Sequence, residues 1–215
     1  GNDAFQETDI VGVTRPIVLL DVDGPLALFV EACQAELAGH GVYREAAAVK
    51  TFRLEEAWSL SPDQKQILAR AYKRPGFCAG IAPREKAREA VERLRGIADV
   101  YAVTAPMWSG PTWQHERTEW LVDHFGFQRD HVVSTSAKYL VGGDVLVDDR
   151  AETLVMWERH GRASGVGVLW AMPHNFNAWA NGEWDGDRTS DWQVVINLAE
   201  RLAGARDPQE ATRRA

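Results

Sequence analysis

Cysteine is scarce. Cys33 and Cys78 are the only two in 215 residues. Two thiols cannot make a disulfide framework, and they lack metal-finger spacing. They read as reduced thiols of a cytoplasmic protein, with one bridge between them as the lesser alternative. Long apolar runs are also lacking. The strongest, such as Ile17 to Leu20, are far shorter than the roughly 20 residues that span a bilayer. The stretch Gly1 to Asp9 is polar and acidic and lacks a basic-then-apolar signal pattern. A basic surplus is missing too: 31 acidic residues face 24 basic ones, for a formal net charge of -7. That disfavours a nucleic-acid polymer or an anionic membrane as partner, since either needs an extended basic surface. A small phosphorylated substrate stays compatible, because a few local cations hold one phosphate. No repeat or low-complexity tract interrupts the chain.

What is there is ordinary globular composition, 45% hydrophobic and 26% charged, enough to fill a core. The length is about 1.4 times a 150-residue domain, which suits one catalytic domain with a modest insertion. Five short apolar runs read as buried strands: Ile17–Leu20, Val100–Val103, His131–Val133, Val145–Val147 and Val166–Trp170. Helical patterns lie between them, over Pro83 to Arg95 with Gly96 as a stop, and over Glu116 to Phe125 closed by Gly126. This alternation predicts an α/β fold with a parallel sheet covered on both faces. From Ala27 to Ile81 the periodicity is helical instead (Phe29 to Leu37, then Glu55 to Tyr72), ending at Pro75-Gly76. This implies a helical insertion after the first strand, sitting over the carboxyl ends of the strands, where open α/β sheets bind ligands. The domains are then a core of residues 1–26 and 82–215 and a helical cap of residues 27–81. Gly204 to Ala215 reads as a frayed polar tail.

The residues just past each strand carry the chemistry. The first strand ends in Asp21-Val22-Asp23-Gly24, and residues at i and i+2 of an extended chain project to one side. Gly24 lets the chain turn away. Thr104 ends the second strand, Lys138 comes after the third, and Asp148-Asp149 end the fourth. Taken singly, each has a plainer reading: a turn, a strand end, a solvated charge, a helix cap. Their order, each after an apolar run, is what points to a site. Two carboxylates about 4 Å apart repel by roughly 4 kcal/mol at an effective dielectric of 20. Lys138 alone does not balance four of them, so a hard divalent cation with oxygen ligands, Mg²⁺, is implied. Phosphoryl transfer uses such a set. Asp21 would be the nucleophile, Asp23 the acid and then the base, and Thr104 and Lys138 the holders of phosphoryl oxygens. Asp148 and Asp149 would complete the metal site.

The ordered motifs resemble the haloacid dehalogenase (HAD) superfamily, and Asp23, absent from its dehalogenases, points to phosphate esters. A closer likeness covers roughly Ile17 to Asn175. The stretches DVDGPLALF, RPGFCAGIAP, VYAVTAP, EWLVDHFGF, VLVDDR and His174-Asn175 are similar to the 5'(3')-deoxyribonucleotidases. This resemblance implies a Rossmann-like core with a small helical cap. It implies a metal held by Asp21, by the backbone carbonyl of Asp23, and by one Asp of the pair, with Asp149 favoured over Asp148. It also implies an aromatic nucleoside pocket with Phe29 and Phe77, and a basic Arg150. Trp58, in the cap, is a further pocket candidate, whereas Trp120 and Trp157 read as packing. The chain departs from the family pattern where Ala105 replaces a Ser, Trp108 a Lys and Arg117 a Lys, and Trp113 adds bulk nearby. These positions bear on substrate preference.

The reading is therefore a Mg²⁺-dependent phosphatase of (deoxy)ribonucleoside monophosphates working through an aspartyl-phosphate. The alternatives are a phosphatase of another small phosphomonoester, such as a sugar phosphate, and a non-catalytic nucleotide-binding module. A polynucleotide end-phosphatase is disfavoured by the acidic balance. A homodimer is compatible with the chain, and a lid-like closure of the cap over the strand ends is expected.

Overall fold

A computed structural model describes residues 15–160 and 165–206; the expectation for Gly1 to Asp9 and most of that for the tail lie outside the described residues. Along the chain run β1 (Ile17–Leu20), α1 (Phe29–Gly39), α2 (Leu54–Ala57), α3 (Pro62–Lys73), α4 (Ala87–Ile97), β2 (Asp99–Thr104) and α5 (Trp113–Phe125). After these come β3 (Val132–Ser134), β4 (Val145–Asp148), α6 (Ala151–His160), β5 (Val166–Trp170), α7 (Phe176–Ala180), β6 (Arg188–Thr189) and α8 (Trp192–Arg206). The strands form one parallel sheet in the order β3-β2-β1-β4-β5-β6. It is the α/β sheet that the alternation predicts. Two-residue β6 was not foreseen, since so short a strand has no periodicity to read.

Alternation along each strand divides the core between the two faces. Val18, Leu20, Val145 and Val147 enter one apolar cluster together with Ala90, Val91 and Leu94 of α4 and Val195, Ile196 and Ala199 of α8. Leu19, Leu146 and Leu169 enter another with Leu154 and Trp157 of α6. Trp120 and Trp157 are buried as expected, and each indole N–H donates to a carbonyl, of Ile81 at 2.7 Å and Val141 at 2.8 Å. Cys33 and Cys78 are both buried free thiols. No helix among the described residues is long and apolar enough to cross a membrane.

Between β1 and β2 the described chain is helical, with no strand. The single helical stretch expected over Glu55 to Tyr72 is two helices. Ser59 takes a positive φ of 48°, and Ser61 then restarts the helix. Its hydroxyl accepts from the Gln64 N–H while the Gln64 side chain accepts from the Ser61 N–H, with Pro62 in the first turn where its missing donor costs nothing. Similarly, α4 begins later than Pro83 and runs through Gly96. Gly126 does end α5, in the left-handed region. The helix α8 continues to Arg206, so Gly204 to Arg206 are helical rather than a frayed tail. The two legs of the insertion run side by side, with Leu28 N–H donating to Ala82 and Arg84 N–H to Leu26, at 2.9 and 2.7 Å.

Candidate active site

Parallel register puts the carboxyl ends of β1, β2 and β4 at one edge. Leu20 pairs with Ala102 and Val147, and the Asp21 N–H donates to Val147 at 2.8 Å. Asp21 thus leaves the sheet beside Asp148, and the turn must then clear Asp149. Gly24 makes this possible: its φ is +105°, and a Cβ there would come within 2.9 Å of Asp149 Oδ2. A side chain is excluded twice over, by conformation and by space.

Asp21, Asp148 and Asp149 are buried, and one carboxylate oxygen from each lies within 4.8 Å of the others. The Lys138 ammonium, also buried, sits 2.7 Å from both Asp21 Oδ1 and Asp148 Oδ2. Three carboxylates against one ammonium leave two negative charges uncompensated. Burial, reinforced by Asp148 and opposed by Lys138, pushes the Asp21 carboxyl up to about 7. Burial and the charges of Asp21 and Asp148 raise Asp149 well above the carboxylate range. Burial alone would lower the Lys138 pKa, but Asp148 and Asp21 outweigh it and hold it above its usual value. Hard oxygen donors with a two-charge deficit are the donor set a magnesium ion takes.

The two members of the acidic pair differ in what they already hold. Asp148 accepts from Lys138 through Oδ2 and from the Arg150 N–H through Oδ1, at 2.7 and 2.8 Å. Asp149 lines the cavity, and its backbone is fixed from behind. Its carbonyl accepts from the Asn175 amide at 2.8 Å and lies 3.1 Å from His174 Nε2. Burial lowers the His174 pKa, which favours a neutral imidazole there. Asn175 also donates to Trp170, at 2.7 Å, so it braces the end of β5 against the acidic pair.

Thr104 is buried at the end of β2, and its hydroxyl has no hydrogen-bond partner among the described residues. An unmet buried hydroxyl costs about 1–3 kcal/mol. Asp23, with its carboxylate one-third exposed, lines the cavity and pairs with Arg117 at 2.7 Å.

Above this charged floor opens a cavity of about 450 Å³. Phe29 and Arg150 line it, as does Ala105. The remaining pocket candidates lie elsewhere. Trp58 is only 5% exposed, packed within the helical insertion, where its indole N–H donates to Glu45 at 3.0 Å. Phe77 is buried behind the wall, 6.1 Å from the Trp113 ring. Trp108 is 84% exposed and does not line the cavity.

Several lining residues were not singled out in the sequence. Tyr72 and Trp113 pack against Phe29 with ring centroids 5.9 and 6.2 Å away. Tyr72 lies on a helical pattern that reads as core, and Trp113 showed only as added bulk. Gly110 brings their segments together, since a Cβ there would lie 2.4 Å from the Tyr72 carbonyl oxygen. Phe52 lies in a stretch without periodicity; the Arg150 guanidinium covers its ring at 4.1 Å and His174 meets its edge at 5.8 Å. Ser136 also faces the cavity, and its proximity to Lys138 was the available signal.

Residues 15–203 match the family model described as "5' nucleotidase, deoxy (Pyrimidine), cytosolic type C protein". The human cytosolic-type 5'(3')-deoxyribonucleotidase is 30% identical over 99 residues, 45% of this chain and 49% of that protein. The match thus spans about half of the human relative. A Bordetella bronchiseptica protein provisionally named 5'(3')-deoxyribonucleotidase is 30% identical over 139 residues, 62% of this chain and 74% of its own length. Among solved structures, a haloacid dehalogenase-like hydrolase from Streptococcus pneumoniae superposes with a TM-score of 0.56. It is 14% identical and covers 86% of this chain and 98% of that one, a likeness of fold.

Proposed function

The chain belongs to the family described as "5' nucleotidase, deoxy (Pyrimidine), cytosolic type C protein", phosphoric monoester hydrolases, and from that premise we propose that it hydrolyses nucleoside monophosphates, deoxy ones foremost, with Mg²⁺. One observation carries the reading: Asp21, Lys138 and the Asp148-Asp149 pair converge beneath an aromatic-walled cavity large enough for a nucleoside. Residues 27–81 would act as its cap, a division that the paired legs at Leu28 and Arg84 support. A cytoplasmic location accords with the two free thiols. The substrate would be the main partner, without a nucleic-acid polymer.

Asp21 attacks phosphorus. Both of its hydrogen bonds, from the Val22 N–H and from Lys138, fall on Oδ1, leaving Oδ2 without a protein partner among the described residues and suited to attack. As the Asp21–phosphorus bond forms and the ester P–O bond breaks, Asp23 gives its proton to the departing oxygen. Asp23 then takes a proton from the water that attacks phosphorus, and the Asp21–phosphorus bond breaks to free phosphate. The unmatched Thr104 hydroxyl and Lys138 are the donors for phosphoryl oxygens. Asp21, the Asp23 carbonyl and Asp149 would hold the metal, with Asp148 fixing Lys138 behind them; Asp148 is already engaged at both oxygens, which supports Asp149 as the direct ligand. Mg²⁺, when bound, supplies the charge neutralisation that lets carboxylates and phosphate share one site.

The test is phosphate release from 5' and 3' deoxy- and ribonucleoside monophosphates alongside sugar phosphates, with Mg²⁺ and with chelator. Selective, metal-dependent release from nucleotides is expected. Release only from sugar phosphates would keep the chemistry and discard the substrate, and tight nucleotide binding without any turnover would leave a binding module.

A further inference from the structure

Arg117 is the least exposed charged side chain near the site after Asp148, at 1%. It lies on α5 between the rings of Trp113 and Trp120, with its guanidinium carbon 5.4 and 5.3 Å from their centroids. One nitrogen, Nη2, donates to Asp23 Oδ1 at 2.7 Å. The other two, Nε and Nη1, are buried without a hydrogen-bond partner among the described residues. For stability alone, this is a poor arrangement. A desolvated cation with unmet donors costs several kcal/mol, and an apolar residue of the same volume would fill the space between two indoles. Arg117 does not line the cavity, so it reaches the chemistry only through Asp23.

The mount is rigid. On the same helix, Glu116 accepts from the N–H groups of Gly76 and Ala79 at 2.8 and 3.1 Å, and the Trp120 indole donates to Ile81. The helix that carries Arg117 is thus tied to the segment through which the insertion returns to the sheet. Asp23, by contrast, is one-third exposed and lies in a turn, with no other side-chain partner among the described residues.

Resting on the phosphomonoesterase reading above, we propose that Arg117 is the positioning residue for proton transfer: it holds Asp23 by Oδ1, so that the proton is carried on Oδ2 and aimed at the leaving oxygen. A guanidinium can only donate, so the oxygen it occupies is the one that cannot carry the acid proton. In the first half-reaction Oδ2–H passes to the departing alkoxide as the P–O bond breaks. In the second, Oδ2 receives the proton of the attacking water.

The comparison that tests this uses two leaving groups with Mg²⁺-loaded full chain: a deoxynucleoside monophosphate, whose alkoxide must be protonated, and p-nitrophenyl phosphate, whose phenolate leaves without help. The readout is kcat/KM, which covers steps only through departure of the leaving group. Arg117→Met should lower it for the nucleotide by about 10²-fold or more, the usual share of general acid catalysis, and for p-nitrophenyl phosphate by less than tenfold. Arg117→Lys should recover most of the difference. In an Asp23→Ala background, Arg117→Met should add no further loss. Equal losses on both substrates, or no recovery with Lys, would overturn the proposal and leave a packing role. Should Arg117→Met fail to fold, judged by thermal unfolding, Arg117→Gln carries the same comparison. A wild-type chain that hydrolyses neither ester sinks the phosphomonoesterase reading itself, an outcome separate from equal losses.

Discussion

The floor and the wall of the cavity are built on opposite principles. The floor draws Asp21, Thr104, Lys138 and the acidic pair from the ends of three neighbouring strands and the segment after a fourth, fixed by sheet register. The wall draws Phe29, Phe52, Tyr72 and Trp113 from four separated segments; Phe29, Tyr72 and Trp113 are fixed by packing against one another, and Phe52 packs against Arg150 and His174. Charges are costly to bury, so Lys138 holds Asp21 and Asp148 at 2.7 Å each, while the Asp149 carboxylate has only His174 Nε2 at 3.4 Å. Aromatic rings need at most one polar partner, as the Tyr72 hydroxyl has in Cys33 Sγ at 3.6 Å, and their geometry depends mainly on whatever else is packed nearby. The floor therefore tolerates almost no change in kind, while the wall tolerates changes of shape at graded expense.

Asp21→Asn should produce the largest effect. It keeps the shape and removes the charge proposed to attack phosphorus, so turnover should fall by about 10⁴-fold or more, as when a nucleophile is lost elsewhere, with the melting temperature not lowered. The second half of that statement sharpens the contrast, because relieving one of three crowded carboxylates should not destabilise the fold; a collapse in stability would mean the floor is structural. Lys138→Met comes next. Removing the cation from between Asp21 and Asp148 breaks a buried pair, expected to destabilise by about 3–5 kcal/mol, read by denaturant unfolding in the presence of chelator. Mg²⁺ added to the chelator-treated wild type should act in the opposite direction, by about 2.7 kcal/mol at a hundredfold excess over Kd. A thermal midpoint unmoved by Mg²⁺ would count against the ion site.

These effects were foreseeable because the floor is written locally. An Asp two residues from another, after an apolar run and before Gly24, has few cheap explanations once Thr104, Lys138 and Asp148-Asp149 recur in the same setting. The sheet was legible for a related reason: runs such as Val145–Val147 are buried on both faces and have a simple pattern. Tyr72 was not legible, because a ring on the inner face of α3 looks the same whether it meets core or ligand. Phe52 had no pattern at all. Trp58 was legible as important and not as to where, since a tryptophan needs burial and one N–H acceptor, and the Glu45 carbonyl supplied that inside the insertion. Arg117 was visible only as a substitution for Lys, and its burial could not be read from a charged position on a helix.

Wall substitutions should act on substrate binding. Trp113→Leu should raise the nucleotide KM by roughly 5- to 150-fold, corresponding to about 1–3 kcal/mol for loss of a stacking surface, with kcat changing less. Nucleoside-free phosphomonoesters should be nearly indifferent to it; an equal change on them would place Trp113 among the supports of Asp23 rather than in the pocket. Trp58→Phe should leave KM alone and cost about 0.5–1.5 kcal/mol of stability, the usual worth of one hydrogen bond. The reverse pattern would return Trp58 to the pocket.

Trp108 gives the smallest expected effect and the cleanest boundary for the wall. It comes directly after Ala105, Pro106 and Met107, all of which line the cavity, yet it points away with 84% of its surface exposed. A ring in that position contributes little burial to the fold, so Trp108→Ala should shift stability by no more than about 0.5 kcal/mol. If the helical insertion and this loop keep the observed arrangement when substrate binds, kcat and KM should also stay within about twofold. A KM raised as far as in Trp113→Leu would mean that the loop after β2 folds inward over the nucleotide. The wall would then have a movable fifth member.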